Sequence, residues 1–82
     1  MKYQVELRPR AEKDLRNLQR QDQKRIFEKL RLATDDLHGD IKRLVQFQPS
    51  YRLRAGDYRV LFEVEADKIV VYRILHRREA YR

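Results

Sequence analysis

Three arginines and a histidine carry the chemistry this chain can offer. Arg52, Arg54 and Arg59 flank the dipeptide Gly56-Asp57, and His76 stands further along at the end of an apolar run. A guanidinium keeps its charge and presents a planar fork of N–H donors that fits carboxylate and phosphate oxygens. An imidazole is the side chain that both gives and takes a proton near neutrality. Together these groups suit an anion site, in particular a phosphate, with a proton-transfer group near it.

The elements that must position them follow from the pattern. In Tyr51-Arg52-Leu53-Arg54-Ala55-Gly56-Asp57-Tyr58-Arg59-Val60-Leu61-Phe62 the residue types alternate with period two, as in strands with one buried face. Gly56-Asp57 suits a two-residue type II′ hairpin loop with glycine first. That turn pairs Ala55 with Tyr58, Leu53 with Val60 and Tyr51 with Phe62, all on one face. On the other face it sets Arg52 across from Leu61 and Arg54 across from Arg59. Two cations directly opposite on a sheet repel, so this face is either a solvated basic surface or a prepared phosphate site.

Before the hairpin, Tyr3, Val5 and Leu7 mark a first strand, ended by Arg8-Pro9-Arg10. A helix is predicted from Pro9 to Gln19, with Ala11, Leu15 and Leu18 inward and proline in the first turn, where its missing N–H costs nothing. Asp22 is a candidate N-cap for a second helix from Gln23 to Leu37, with Ile26, Phe27, Leu30, Ala33 and Leu37 inward. Gly39 suits the position past its end. Asp40 to Ser50 reads as a loop or short extended piece with Leu44, Val45 and Phe47 tucked under.

After the hairpin the third strand runs on through Val64, and Ile69 to Leu75 reads as a central strand covered on both sides. A loop at Asp67-Lys68 pairs Val64 with Val71 and Arg59 with His76. Arg54, Arg59 and His76 then form one row, and Arg73 turns toward the core. The predicted fold class is α+β: an N-terminal strand, an antiparallel helical hairpin and a three-stranded antiparallel meander, with the helices on one face.

With 82 residues the chain makes one domain. Twenty Lys and Arg against 13 Asp and Glu give a net charge of +7, a lean toward polyanions. Cysteine is absent, which removes disulfides and thiolate metal sites and makes a reducing cytoplasm the expected location. Neither a secretory leader nor a membrane-length apolar run is visible. Asp35-Asp36-x-His38-x-Asp40 has metal-ligand residue types but falls at a helix end, where a polar cap and turn are expected instead. Lys13, Arg16, Arg20, Lys24, Arg25, Lys29 and Arg31 read as a solvated helical face, some of it able to touch nucleic-acid backbone.

The stretch Tyr51-Arg52-Leu53-Arg54-x-Gly56-Asp57-Tyr58-Arg59-Val60, followed by His76-Arg77-Arg78-Glu79-Ala80-Tyr81, resembles the RelE/ParE toxin superfamily, and its RelE-type members above all. With the order of elements, the resemblance covers essentially the whole chain. It implies the toxin of a type II toxin–antitoxin pair, an endonuclease that cuts mRNA in the ribosomal A site without a metal or other cofactor. It also implies a RelB-like antitoxin that covers the basic face, operator DNA being bound only through the complex. In residue terms, Arg52 and Arg54 fall where well-known members have lysines, and Arg59 on a phosphate-binding arginine. Arg77 falls on a second catalytic arginine, with Arg78 one residue on as its competitor and otherwise RNA-binding, and Tyr81 on a tyrosine that stacks on or orients the scissile nucleotide. Arginine does not readily lose a proton, so Arg52 and Arg54 suit charge stabilisation rather than proton abstraction. His76 is left as the candidate for proton transfer. A ParE-like inhibitor of DNA gyrase, or a weak toxin acting mainly as corepressor, are the alternatives.

Overall fold

A computed structural model describes residues 3–35, 40–46 and 48–80. Seven elements follow in order: β1 (Gln4–Leu7), α1 (Pro9–Arg16), α2 (Arg20–Ala33), β2 (Ile41–Arg43), β3 (Tyr51–Ala55), β4 (Tyr58–Glu65) and β5 (Lys68–His76). The strands form one sheet in the order β1-β5-β4-β3-β2. β2 to β5 make an antiparallel meander, and β1 joins β5 in parallel. The α+β class and the helices on one face are as the pattern implied. The meander has one strand more, because β2 pairs with β3 where a loop or short extended piece was expected. Val45 does not tuck under; it is exposed. Leu37, His38, Gly39, Phe47 and Tyr81 lie outside the described residues.

One apolar layer joins helices and sheet. Ala11 and Leu15 of α1 and Ile26, Leu30 and Ala33 of α2 pack on Leu53, Ala55, Val60, Phe62, Ile69, Val71 and Ile74. α1 lies over β5 and β1, and α2 over β3. Phe27, expected in this layer, is instead half exposed on α2. α1 stops three residues before the predicted end. Gln23 of α2 serves this end: its side-chain amide donates to Leu15 O, in the last turn of α1, at 2.7 Å, and to Leu18 O, just beyond the helix, at 3.2 Å, satisfying groups a helix end leaves unpaired. α2 starts early, with Gln19 in the N-cap position and no side-chain cap; Asp22 sits inside its first turn, where a carboxylate complements the helix dipole.

The first hairpin has the predicted register throughout, including Arg54 opposite Arg59. Gly56 has φ +61°, the left-handed value that the first position of a type II′ turn requires. The second hairpin differs. Its loop is Ala66-Asp67, with Ala66 at φ +57°, and pairs Glu65 with Lys68 and Val64 with Ile69. A bulge then shifts the ladder, since Phe62 faces Val71 while Leu61 faces Arg73, leaving Tyr72 as the extra residue. Tyr58 therefore lies opposite His76, and Arg59 opposite Leu75.

Asp14 of α1 secures the bulge. Its carboxylate accepts from Arg73 Nε at 2.8 Å, from a second Arg73 nitrogen at 3.2 Å and from the Ile74 backbone N–H at 3.0 Å. Arg73 is thus held at the helix flank by an ion pair rather than turned into the core. Burial pushes the Asp14 carboxyl up, but the hydrogen bonds from Arg73 and Ile74 outweigh it and hold it below the usual carboxylate range.

Candidate functional site

The β3–β4 turn and the end of β5 lie at one end of the sheet, and the basic residues gather there. Arg54 and Arg59, cross-strand partners, point to the face away from the helices. Arg59 bends back over the turn and donates to Gly56 O and Tyr58 O, each at 3.0 Å. Backbone carbonyls thus fix the guanidinium, leaving no carboxylate to neutralise it: among the described residues Arg59 has no ion-pair partner. Arg25 of α2 reaches the same turn from the helix side. A Cβ built on Gly56 would stand 2.5 Å from its Nη1. Glycine here serves both the turn and the close approach of that arginine.

Arg54 is paired. Its guanidinium donates to Asp40 Oδ1 at 3.2 Å, while Lys29 of α2 hydrogen-bonds Asp40 Oδ2. The Arg54 backbone N–H also donates to Asp40 O at 3.0 Å. The hydrogen bonds from Lys29 and then Arg54 hold the Asp40 carboxyl below its usual range.

The segment after β5 is tied to the same turn, with Arg77 N donating to Asp57 O at 2.8 Å. Arg77 and Arg78 are exposed, whereas Ala80 is buried and donates its N–H to His76 O at 3.1 Å. The predicted row of Arg54, Arg59 and His76 is not formed. The Ala66-Asp67 loop and the bulge set His76 opposite Tyr58, with the two rings edge to face at 5.5 Å. His76 therefore lines a cleft with Asp14, Leu18, Tyr58, Arg73 and Glu79. Its Nδ1 accepts from Arg78 N at 3.2 Å, so the proton of the neutral ring sits on Nε2.

Arg52 lies opposite Leu61 on the face away from the helices. This half of the face is closed rather than solvated. Leu61 and Val70 are buried outside the helix-side layer, and the Arg52 Nε is enclosed without a hydrogen-bond partner. Gln48, Pro49, Glu63 and Tyr72 line a cleft on this part of the molecule, and Ser50 donates to Glu63. The sheet thus carries a covered patch toward its middle and a charged rim at the turn.

Sequence reasoning missed Asp40, Lys29 and Arg25 as members of this rim. Lys29 and Arg25 are four apart on α2, hence on one helical side. That spacing was the available signal, although nothing local says which strand they meet. Among the described residues no cluster of three or more His, Cys, Asp or Glu side chains could hold a metal ion.

Residues 5–81 match the family model described as "ParE toxin of type II toxin-antitoxin system, parDE". Toxin RelE3 of Methanocaldococcus jannaschii is 41% identical over 49 residues, 60% of this chain and 56% of that toxin. A second protein of that organism, provisionally described as toxin RelE1, is 38% identical over 84 residues, 96% of this chain and 93% of its own length. The toxin in a RelB–RelE antitoxin–toxin complex from Methanococcus jannaschii superposes with a TM-score of 0.77 at 31% identity, over 94% of this chain and 95% of that one. With a family match over nearly its whole length and a relative of this identity aligned end to end, the chain belongs to the RelE/ParE superfamily of type II toxin–antitoxin toxins.

Proposed function

We propose that the protein is a RelE-type toxin that cleaves mRNA in the ribosomal A site without a metal, and that a RelB-like antitoxin restrains it. The observation that carries this reading is Arg54 opposite Arg59 at an exposed strand end, with Arg77 tied by its backbone to the same turn. Like charges crowded in this way lower stability unless an anion lies between them. The antitoxin follows by analogy with relatives whose structures are RelB–RelE complexes, from Methanococcus jannaschii and from Pyrococcus horikoshii.

In the proposed reaction the 2′-hydroxyl attacks the adjacent phosphorus and the 5′-oxygen of the next nucleotide leaves. The products are a 2′,3′-cyclic phosphate and a 5′-hydroxyl; the proton lost by the 2′-oxygen balances the one gained by the leaving oxygen. Arg54, Arg59 and Arg77 stabilise the charge that builds on the phosphorane oxygens, the largest usual contribution to such a step. Arg78 holds the strand and Tyr81 stacks on a base; Arg52, whose Nε is enclosed in the covered patch, contributes charge at the edge of that patch. His76 remains the candidate proton-transfer group, but it stands opposite Tyr58 on the helix side of the sheet, so it reaches the scissile nucleotide only if the strand passes round the end of β5.

Toeprinting of a translating ribosome with purified toxin is the test. New mRNA ends inside the A-site codon are expected. Arg59→Ala should reduce their rate by about 10²–10³-fold while antitoxin binding persists. Normal cutting by that variant would remove Arg59 from the site. The description of the matching family as ParE toxins favours one second reading, inhibition of DNA gyrase. Intact mRNA, together with double-strand breaks in supercoiled DNA incubated with gyrase, would establish it instead.

A further inference from the structure

We propose that Asp40 is an internal stand-in for phosphate. Its carboxylate occupies an anion site built by Lys29 and Arg54, and a phosphodiester of the RNA strand takes that place on binding. The inference rests on the RNA-cleaving reading above and adds Lys29, on a helix, to the residues that hold the strand.

The geometry is that of an anion site already filled. The two carboxylate oxygens are divided between two cations from different elements, Lys29 Nζ on Oδ2 and Arg54 on Oδ1. The two non-bridging oxygens of a phosphodiester can be shared in the same way, since guanidinium and ammonium donors accept either anion. The pair lies at the surface, with the Arg54 side chain 58% exposed and the Lys29 and Asp40 side chains about a third exposed. Exposed pairs contribute little to stability, so exchanging one anion for another there costs little. Asp40 is also held independently of its carboxylate, through its carbonyl and the Arg54 N–H. The side chain can swing away while the backbone stays in the sheet edge. In the free protein the carboxylate also offsets the repulsion between Arg54 and Arg59, which are directly opposed.

A double-mutant cycle on the full chain tests this. The probe is a fluorescently labelled single-stranded RNA carrying 2′-O-methyl groups, which cannot be cleaved. Its affinity is measured against salt for the unaltered protein, Asp40→Asn, Lys29→Gln and the double variant, with melting temperatures recorded for each. Asp40→Asn should bind about tenfold tighter at low salt and show a steeper salt dependence, each newly available cation adding about 0.7 to the logarithmic slope. Lys29→Gln should weaken binding about two- to threefold in the unaltered background, where the lysine must first give up Asp40, and about tenfold in the Asp40→Asn background, removing most of the gain. Equal losses from Lys29→Gln in both backgrounds would overturn the proposal. So would an equal gain from the remote control Glu12→Gln, because net charge alone would then explain the effect. If toeprinting finds cleavage and the cycle is additive, only this inference falls. If the cycle couples and no message is cut, the anion site stands and the nuclease reading falls.

Discussion

Two arginines of this sheet are each held by one aspartate, and the two arrangements do different work. Arg73 and Asp14 meet at the helix flank, where the Asp14 side chain is only 15% exposed and accepts three hydrogen bonds, one from the Ile74 backbone N–H. Arg54 and Asp40 meet at the rim, where the Arg54 side chain is more than half exposed and Asp40 about a third, and Asp40 divides itself between Arg54 and Lys29. The first pair is enclosed and holds β5 to α1. The second is exposed and leaves its cations available to another anion. Burial and a backbone donor, not the residue types, turn an ion pair into a structural joint.

The sharpest way to break this contrast is to remove each aspartate in turn. Asp14→Ala leaves the Arg73 guanidinium and the Ile74 N–H without partners in a poorly hydrated place. Urea unfolding should find a loss of about 2–4 kcal/mol, and Asp14→Asn a smaller one. A loss below about 1 kcal/mol would put the two pairs in the same class.

Acid provides the next largest effect. The Asp14 carboxyl is depressed in the folded chain, so its stabilisation is fully present above the unfolded carboxylate value of about 4. It is lost as pH falls through the lower folded value. Stability of the unaltered protein should therefore decline more steeply below about pH 4 than that of Asp14→Asn. Parallel curves would remove the pair from the account. The smallest effect belongs to the rim, where Asp40→Asn should change unfolding free energy by less than about 1 kcal/mol, although on the proposed reading it should raise RNA affinity.

The same contrast explains what the sequence could reveal. The β3–β4 register was legible because a local signal, Gly56-Asp57, agreed with the alternation on both sides. The β4–β5 register was not. Ala66 takes a left-handed φ that alanine rarely adopts, and the bulge at Tyr72 is stabilised by Asp14, distant in sequence. Loop and bulge together moved His76 away from Arg59. β2 could be read only as a loop or a short extended piece, because three residues of mixed polarity carry no period. Arg54 and Arg59 could be read as a pair from the hairpin alone, whereas Asp40 and Lys29 meet only after α2 has docked on β3.

The parallel pairing of β1 with β5 has a consequence for biosynthesis. Among the described residues β1, the most N-terminal strand, has one neighbour in the sheet, β5, the most C-terminal one. A nascent chain therefore cannot close its sheet progressively from the N-terminal side, as local meanders do, and such distant pairings slow folding. Until β5 has docked, the segment carrying Arg77 has no tie to the β3–β4 turn, because that tie is the Arg77 N–H on Asp57 O.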